Sequence, residues 1–183
     1  LFRSMFDGFL RVAAATPDIR VADCNFNGAS AAALVSEAYE QGVSLLVLPE
    51  LCLTGYTCSD LFLQESLLDG AGKALLTLTE ATRDKNMVVL AGLPLTVNGV
   101  LYNVAAVLHD GDILGFVPKS YLPTYSEFYE GRHYHSGADI EADVLFNGRT
   151  YPFGTRLLFR CRQMPAFTLG IEICEDLWVA QPP

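Results

Sequence analysis

Residues 167–178 read FTLGIEICEDLW, an apolar run that ends on a cysteine followed at once by two carboxylates. Apolar side chains recur at every second position from Phe167 to Ile173, which is typical of a β-strand with one face against a core. Cys174 is then expected at the tip of that strand, where α/β proteins commonly place reactive groups. Free cysteines are also among the most buried residue types, so an inert core cysteine remains an alternative at this point.

The composition predicts one globular domain with much of its secondary structure buried, because 51% of the 183 residues are hydrophobic and 18% are charged. The net charge of -9 disfavours binding to phosphates and anionic lipids. We therefore expect neither a nucleic-acid nor a membrane partner.

The five cysteines form an odd set without a C-x-x-C pair, so the sequence favours neither a disulfide framework nor a zinc ribbon. Reduced thiols fit a cytoplasmic protein. Charged residues Arg3, Asp7 and Arg11 interrupt the apolar residues at the N-terminus, so we expect no signal-peptide core there.

The order of elements predicts an α/β fold with a mixed sheet. Asp110-Gly111 and Asn147-Gly148 each suit the positive backbone dihedrals of a two-residue hairpin, so some neighbouring strands must be antiparallel. We expect an ordered loop with one short helix over residues 120–137. Predicted strands cover residues 8–15, 43–48, 87–93, 100–108, 112–117, 143–146, 150–153, 157–160 and 167–173, and predicted helices cover residues 29–41 and, in two segments, 61–83.

Two more candidate residues follow predicted strands: Glu50 comes after Pro49, and Lys119 comes after Pro118. A thiol must lose its proton to attack; a nearby ammonium favours the thiolate and a nearby carboxylate can take the proton. With Cys174 these residues supply a base, a cation and a nucleophile. Spacing alone equally allows Glu50 and Lys119 to form an ordinary ion pair at the sheet edge.

Three segments resemble motifs of the nitrilase superfamily: LPELCLTGY (48–56), PKSYLPTYSEFYE (118–130) and GIEICEDLW (170–178). The second and third look most like the glutaminase domains of bacterial glutamine-dependent NAD synthetases. This resemblance implies a nitrilase-like four-layer α-β-β-α sandwich with mixed sheets. It also implies that residues 1–183 form a single partial domain, with the C-terminal part of the sandwich missing and the synthetase domain absent.

The resemblance implies that Cys174 is the nucleophile and that Glu50 is the general base and then the general acid. Lys119 is expected to stabilise the tetrahedral intermediate, together with the backbone N–H that follows the cysteine.

Four further residues receive supporting roles from the resemblance. Tyr56 and Tyr125 match positions that line the glutamine pocket. Glu127 matches a carboxylate that supports the lysine and the substrate, although on composition alone it could be a solvated loop residue. Glu175 is expected to matter mainly through its backbone N–H.

The function implied is glutamine amide hydrolysis through a Cys-bound γ-glutamyl thioester, with glutamine and the synthetase domain of the parent chain as partners. No cofactor or metal is expected at the glutaminase site, and ATP and Mg²⁺ are expected only in the synthetase domain. Exposed apolar strand faces predict a homo-oligomer. The alternatives are a stand-alone amidase or nitrile hydrolase of the same superfamily, and an inactive fragment acting only in assembly.

Two other candidates are weaker. Glu172 lies on the same strand face as Cys174, but about 6.5 Å deeper in an ideal strand, where an unpaired carboxylate is costly to bury. We therefore prefer Glu50 as the base. His133 and His135 lack further ligands nearby in the sequence, so we expect no metal site there.

Overall fold

A seven-stranded mixed β-sheet organises the protein in the computed structural model, which describes residues 8–183. The first seven residues, on which the signal-peptide argument partly rests, lie outside the described residues. The sheet strands are β1 (Val12–Ala14), β2 (Leu45–Val47), β3 (Val88–Val97), β4 (Val100–His109), β5 (Asp112–Pro118), β6 (Glu141–Phe146) and β7 (Arg149–Gly154).

The order across this sheet is β1-β2-β3-β4-β5-β7-β6. The β1–β2, β2–β3 and β5–β7 pairs are parallel, whereas β3–β4, β4–β5 and β6–β7 are antiparallel. Both predicted hairpins are present, and Asp110, Gly111, Asn147 and Gly148 all have positive φ. The mixed α/β fold expected from the sequence is confirmed.

Helices cover one face of the sheet. They are α1 (Cys24–Glu40), α2 (Glu65–Ala81) and the short α3 (Glu130–His133), with a 3-10 turn at Ser59–Leu63. Side chains such as Leu46, Val89 and Leu108 point towards α1 and α2 and belong to one large buried cluster. The alternation of strand side chains turns the neighbouring residues to the opposite face.

On that opposite face lies a second, two-stranded sheet formed by β8 (Phe159–Arg160) and β9 (Thr168–Leu169). Phe159, Phe167 and Leu169 pack there against the buried residues Leu45, Leu90 and Val107. The described residues therefore form three layers: helices, a large sheet and a small sheet. No helix within residues 8–183 has the length and apolar character needed to cross a membrane.

Helix α1 begins at Cys24, five residues before its predicted start. Asp23 accepts a 3.1 Å hydrogen bond from the backbone N–H of Phe26 and so caps the helix. Asn27 is fully buried inside the helix, where its side-chain amide donates to the carbonyls of Arg20 and Leu53.

The strand predicted over residues 167–173 is wrong in extent, since only Thr168–Leu169 pairs with another strand. The alternation of burial nevertheless continues to Ile173, which is buried, and Cys174, which is exposed. Cys174 is therefore not a strand tip: it is the first residue of a 3-10 turn, Cys174–Leu177. A hairpin at Asn98-Gly99, both with positive φ, joins β3 to β4 and was not predicted.

Candidate active site

Glu50 lies in the turn that follows β2, three residues beyond the strand end. The facing residue on β3 is Gly92, where an added Cβ would lie 2.3 Å from the backbone nitrogen of Leu51 and 2.8 Å from Glu50 Cα. Only glycine leaves room for this close approach. The neighbouring strand therefore fixes the position of the Glu50 backbone.

Lys119 directly follows β5 and its side chain is fully buried. Its backbone N–H donates 2.8 Å to the carbonyl of Asn103, and its carbonyl accepts from the N–H of Gly137 at 2.8 Å. An added Cβ at Gly137 would lie 2.4 Å from Pro118 Cβ, so this glycine too permits a close approach. Backbone contacts on both sides hold the lysine in place.

The structure brings Glu50 and Lys119 together, as the sequence predicted for an active site or an ion pair. Lys119 Nζ donates 2.7 Å to Glu50 Oε1 and 2.7 Å to Glu130 Oε1. Tyr56 Oη also donates 2.7 Å to Glu130 Oε1. One buried ammonium thus joins two carboxylates, and its third N–H stays available among the described contacts.

The carboxylate that supports Lys119 is Glu130, and the role expected for Glu127 is corrected accordingly. Glu127 is exposed and lines a cavity of about 440 Å³ beside Tyr56 and Glu130, without a described contact to the lysine. The two glutamates differ in exposure. Glu127 lies in the loop before α3, whereas Glu130 begins that helix and is only 3% exposed.

Burial and the neighbouring charged groups shift the pKa values of Lys119 and Glu130 in opposite directions. Burial alone would lower the pKa of Lys119, but the charges and hydrogen bonds of Glu50 and Glu130 outweigh it and raise the pKa above its usual value. Burial raises the pKa of Glu130, an effect that hydrogen bonds from Lys119 and Tyr56 reduce. Lys119 is therefore a permanent cation at neutral pH.

Asn103 on β4 was not identified from the sequence. Its side chain is 1% exposed and Nδ2 donates 2.6 Å to Glu50 Oε1, the same oxygen that Lys119 binds. Both described hydrogen bonds to the Glu50 carboxylate therefore use Oε1. This leaves Oε2 available to take up a proton.

Cys174 is exposed and has a positive φ of 52°. A non-glycine residue in this region stores strain and is held there by its surroundings. Desolvation and the negative charge of Glu50 raise the pKa of the Cys174 thiol, whereas Lys119 and the backbone N–H of Glu175 lower it. The charges of both other candidate residues therefore act on the thiol, and its raised pKa keeps it protonated at neutral pH.

The two tyrosines predicted as pocket residues both pack against the ring of Phe128 but bind different carboxylates. Tyr56 contacts Glu130, as described above, and its phenol pKa is raised by burial and by that carboxylate. Tyr125 is exposed, and its Oη donates 3.0 Å to Glu175 Oε2. The side chain of Glu175, and not only its backbone N–H, therefore takes part in the surroundings of Cys174.

Glu172 is exposed and lines the open cavity at Cys174, together with Leu158, Leu177 and Trp178. It is therefore not the deep, unpaired carboxylate that the ideal-strand argument assumed. No contact between Glu172 and Lys119 or Cys174 occurs among the described hydrogen bonds and ion pairs.

The remaining candidates do not join the cluster. His133 Nε2 lies 3.1 Å from Asp60 Oδ1, and Arg132 binds the same carboxylate through two hydrogen bonds. In the part of the chain that the structure describes, no three His, Cys, Asp or Glu residues are placed to hold a metal ion. Burial raises the pKa of the Cys24 and Cys52 thiols to about 11, so these are inert core thiols.

Comparison with known proteins shows what this chain is similar to. A family model described as carbon-nitrogen hydrolase matches residues 11–182. A glutamine-dependent NAD(+) synthetase from Mycobacterium tuberculosis is 44% identical over 176 residues, which cover 96% of this chain and 26% of that protein. The chain thus spans about a quarter of the length of such relatives.

Solved structures agree. The crystal structure of a glutamine-dependent NAD(+) synthetase from Cytophaga hutchinsonii superposes with a TM-score of 0.83 at 29% identity, covering 91% of this chain and 28% of that one. An amidase from Nesterenkonia has a TM-score of 0.60 at 23% identity, covering 78% of this chain and 54% of that one. The second likeness concerns the fold alone.

Proposed function

Since the chain belongs to the carbon-nitrogen hydrolase family, we propose that it is the glutaminase part of a glutamine-dependent NAD synthetase. In this proposal it releases ammonia from the side chain of glutamine through a γ-glutamyl thioester on Cys174. The observation that carries the proposal is the buried Glu50–Lys119–Glu130 cluster, whose charges act on the thiol of Cys174. These are a base, a cation and a nucleophile in one place.

In the first step, Glu50 Oε2 takes the proton of the thiol while the sulfur attacks the amide carbon of glutamine. The raised pKa of Cys174 makes this base necessary, because little thiolate is present at neutral pH. The carboxylate has an oxygen available, since Lys119 and Asn103 both bind Oε1.

Attack converts the amide oxygen to an oxyanion. Lys119 has one N–H beyond those that bind Glu50 and Glu130, and the backbone N–H of Glu175 already favours negative charge on the sulfur beside it. Together these two donors stabilise the charge that develops in the transition state. The fixed position of Lys119 means that little reorganisation is needed.

Collapse of the intermediate breaks the carbon–nitrogen bond. Glu50 returns its proton to the departing nitrogen, which leaves as ammonia, and the γ-glutamyl group remains on sulfur as a thioester. Water then loses a proton to Glu50 and attacks the thioester carbon; the proton returns to the sulfur as it leaves. Glutamate is released and the thiol is restored.

The proposed partners follow from the same assignment. Ammonia would pass to a synthetase domain, and ATP and Mg²⁺ would act there, because the hydrolysis described above needs only water and groups of this chain. Self-association through apolar surface stays a prediction; exposed residues near the nucleophile include Leu158 at 71% and Trp178 at 75%.

Ammonia release from L-glutamine tests the proposal. We expect the wild-type protein to form glutamate and ammonia in equal amounts, and Cys174→Ala to lose at least about 10⁴-fold in kcat. Because Cys174 is exposed, the variant should keep its unfolding temperature. Cys161→Ala removes a thiol outside the site and serves as the matched control.

Other substrates separate the alternatives. Turnover of simple aliphatic amides or nitriles without turnover of glutamine would replace the proposed substrate by that of a stand-alone amidase or nitrile hydrolase. A folded protein that hydrolyses none of these compounds would contradict the proposal and favour a role in assembly only.

A further inference from the structure

Asp176 is a buried carboxylate that the reaction described above does not use. Its side chain is 1% exposed, and it lies two residues after Cys174 in the 3-10 turn. Burial raises its pKa, an effect opposed by backbone N–H groups that donate to it. A buried carboxylate is costly unless its lone pairs are satisfied, so its contacts indicate what it does.

The contacts of Asp176 come from two separate segments. Oδ1 accepts hydrogen bonds from the backbone N–H groups of Ser120, at 3.1 Å, and Tyr121, at 2.8 Å. Oδ2 accepts one from the backbone N–H of Ile173 at 3.2 Å and shares the Ser120 N–H at a longer distance of 3.4 Å. Ser120 and Tyr121 directly follow Lys119, and Ile173 directly precedes Cys174.

We infer that Asp176 is a positioning residue that fastens the nucleophile turn to the segment carrying Lys119, and so sets the place of the Cys174 sulfur relative to the Glu50–Lys119 pair. The inference rests on the proposed function for its catalytic consequence. Its structural content, a link between two backbone segments, stands without it.

The turn needs such a link because its own geometry is strained. Cys174 has a φ of 52°, and Asp176 closes the turn by accepting the Ile173 N–H while its own N–H donates 3.2 Å to the Ile173 carbonyl. The paired strand ends at Leu169, so sheet hydrogen bonds do not reach the cysteine. The carboxylate supplies the connection that the strand does not.

A carboxylate suits this place better than its amide. Both oxygens of an ionised Asp accept, whereas Asn has one accepting oxygen and an NH₂ group that only donates. In Asp176→Asn, the NH₂ group of the asparagine would face either the N–H of Ile173 or the N–H groups of Ser120 and Tyr121, and two donors cannot form a hydrogen bond. We therefore expect one of the two segments to be released. The substitution keeps the size of the side chain but removes its negative charge, which also acts on Lys119.

Steady-state kinetics and thiol alkylation together test the inference. For Asp176→Asn we expect kcat for glutamine hydrolysis to fall about 10²-fold, the size expected when a reacting group is misplaced by about 1 Å, with KM nearly unchanged. The pH midpoint of Cys174 alkylation by iodoacetamide should move down towards that of an ordinary thiol, because the sulfur leaves the desolvated place beside Glu50.

Asp69→Asn is the matched control. It makes the same chemical change on the exposed surface of α2 and should leave kcat, KM and the alkylation profile as in the wild type. Thermal unfolding shows whether Asp176→Asn is folded. If it is not, Asp176→Glu keeps the charge but moves the carboxylate by one methylene, and it should show the same changes in smaller size.

Wild-type kcat and a wild-type alkylation profile in either folded Asp176 variant would overturn the inference. A rise in KM alone, with kcat and the pH midpoint of Cys174 alkylation unchanged, would overturn the inference as well. Failure of the wild-type protein to hydrolyse glutamine would count against the proposed function only, since the alkylation profile still reports whether Asp176 positions the thiol.

Discussion

The two halves of the candidate site differ in how the fold holds them. Glu50 and Lys119 follow strands of the large sheet, lie against glycines that allow close backbone approach, and share a buried hydrogen-bonded cluster. Cys174 is exposed, follows unpaired chain beyond the small sheet, and is connected to the rest mainly through Asp176.

The two halves therefore differ in rigidity and in proposed role. The charged half has fixed positions, as electrostatic stabilisation requires, because a rigid cation costs no reorganisation when the oxyanion forms. Cys174, the proposed nucleophile, lies on the more lightly built segment, where its strained turn must be held by specific contacts. Mutations around Glu50 and Lys119 should therefore mainly lower the stability of the fold. Mutations around Cys174 should mainly displace its sulfur.

Replacing Lys119 by methionine should give the largest loss of stability. The variant leaves Glu50 and Glu130 close together without their shared cation, and removal of one partner of a buried ion pair costs about 3–5 kcal/mol. Urea unfolding measures the effect. Lys73→Met, on the exposed surface of α2, is the control and should cost well under about 1 kcal/mol.

If Lys119→Met were as stable as the wild type, the described cluster would not be a structural unit, and the contrast between the halves would fail. Glutamine hydrolysis should be lost in this variant under conditions where it remains folded, because Lys119 is the proposed side-chain donor to the oxyanion.

Two leucine-to-alanine variants compare the packing of the large and the small sheet. Leu46 on β2 is completely buried, so Leu46→Ala should cost about 2–5 kcal/mol. Leu169 on β9 is only partly buried, so Leu169→Ala should cost about 1 kcal/mol. Equal losses in denaturant unfolding would contradict the distinction between a well-packed and a lightly packed region.

The electrostatic link between the halves gives a smaller but more specific effect. Glu50 raises the pKa of the Cys174 thiol and Lys119 lowers it. Glu50→Gln should therefore move the pH midpoint of Cys174 alkylation down, so that alkylation at a fixed pH below this midpoint becomes faster while glutamine hydrolysis is lost. An unchanged or raised midpoint would show that Glu50 does not act on the thiol.

Much of this arrangement could be predicted from the sequence. Short apolar runs and the Asp-Gly and Asn-Gly pairs located the main strands and two hairpins, because these patterns depend on local geometry. Glu50 and Lys119 were found because each comes within three residues of a strand end, where the backbone direction is set by the sheet.

Other features depend on contacts that the sequence does not encode locally. Glu127 lies in an irregular loop and Glu130 starts the four-residue helix α3, so no sequence period indicates which carboxylate is buried. Asn103 lies on a central strand, where its apolar neighbours Tyr102 and Val104 gave no sign of its contact with Glu50. Asp176 is only two residues from Cys174, yet its partners Ser120 and Tyr121 are more than fifty residues away in sequence.

The account is tested most directly by mass spectrometry of the protein after rapid acid quenching with glutamine. We predict a γ-glutamyl adduct on the peptide that contains Cys174 in the wild type, and interception of the same group by hydroxylamine as γ-glutamyl hydroxamate. Cys174→Ala should give neither product. Ammonia release from glutamine that persists in Cys174→Ala, or that proceeds without adduct or hydroxamate in the wild type, would contradict the assignment of Cys174, Glu50 and Lys119 to one active site.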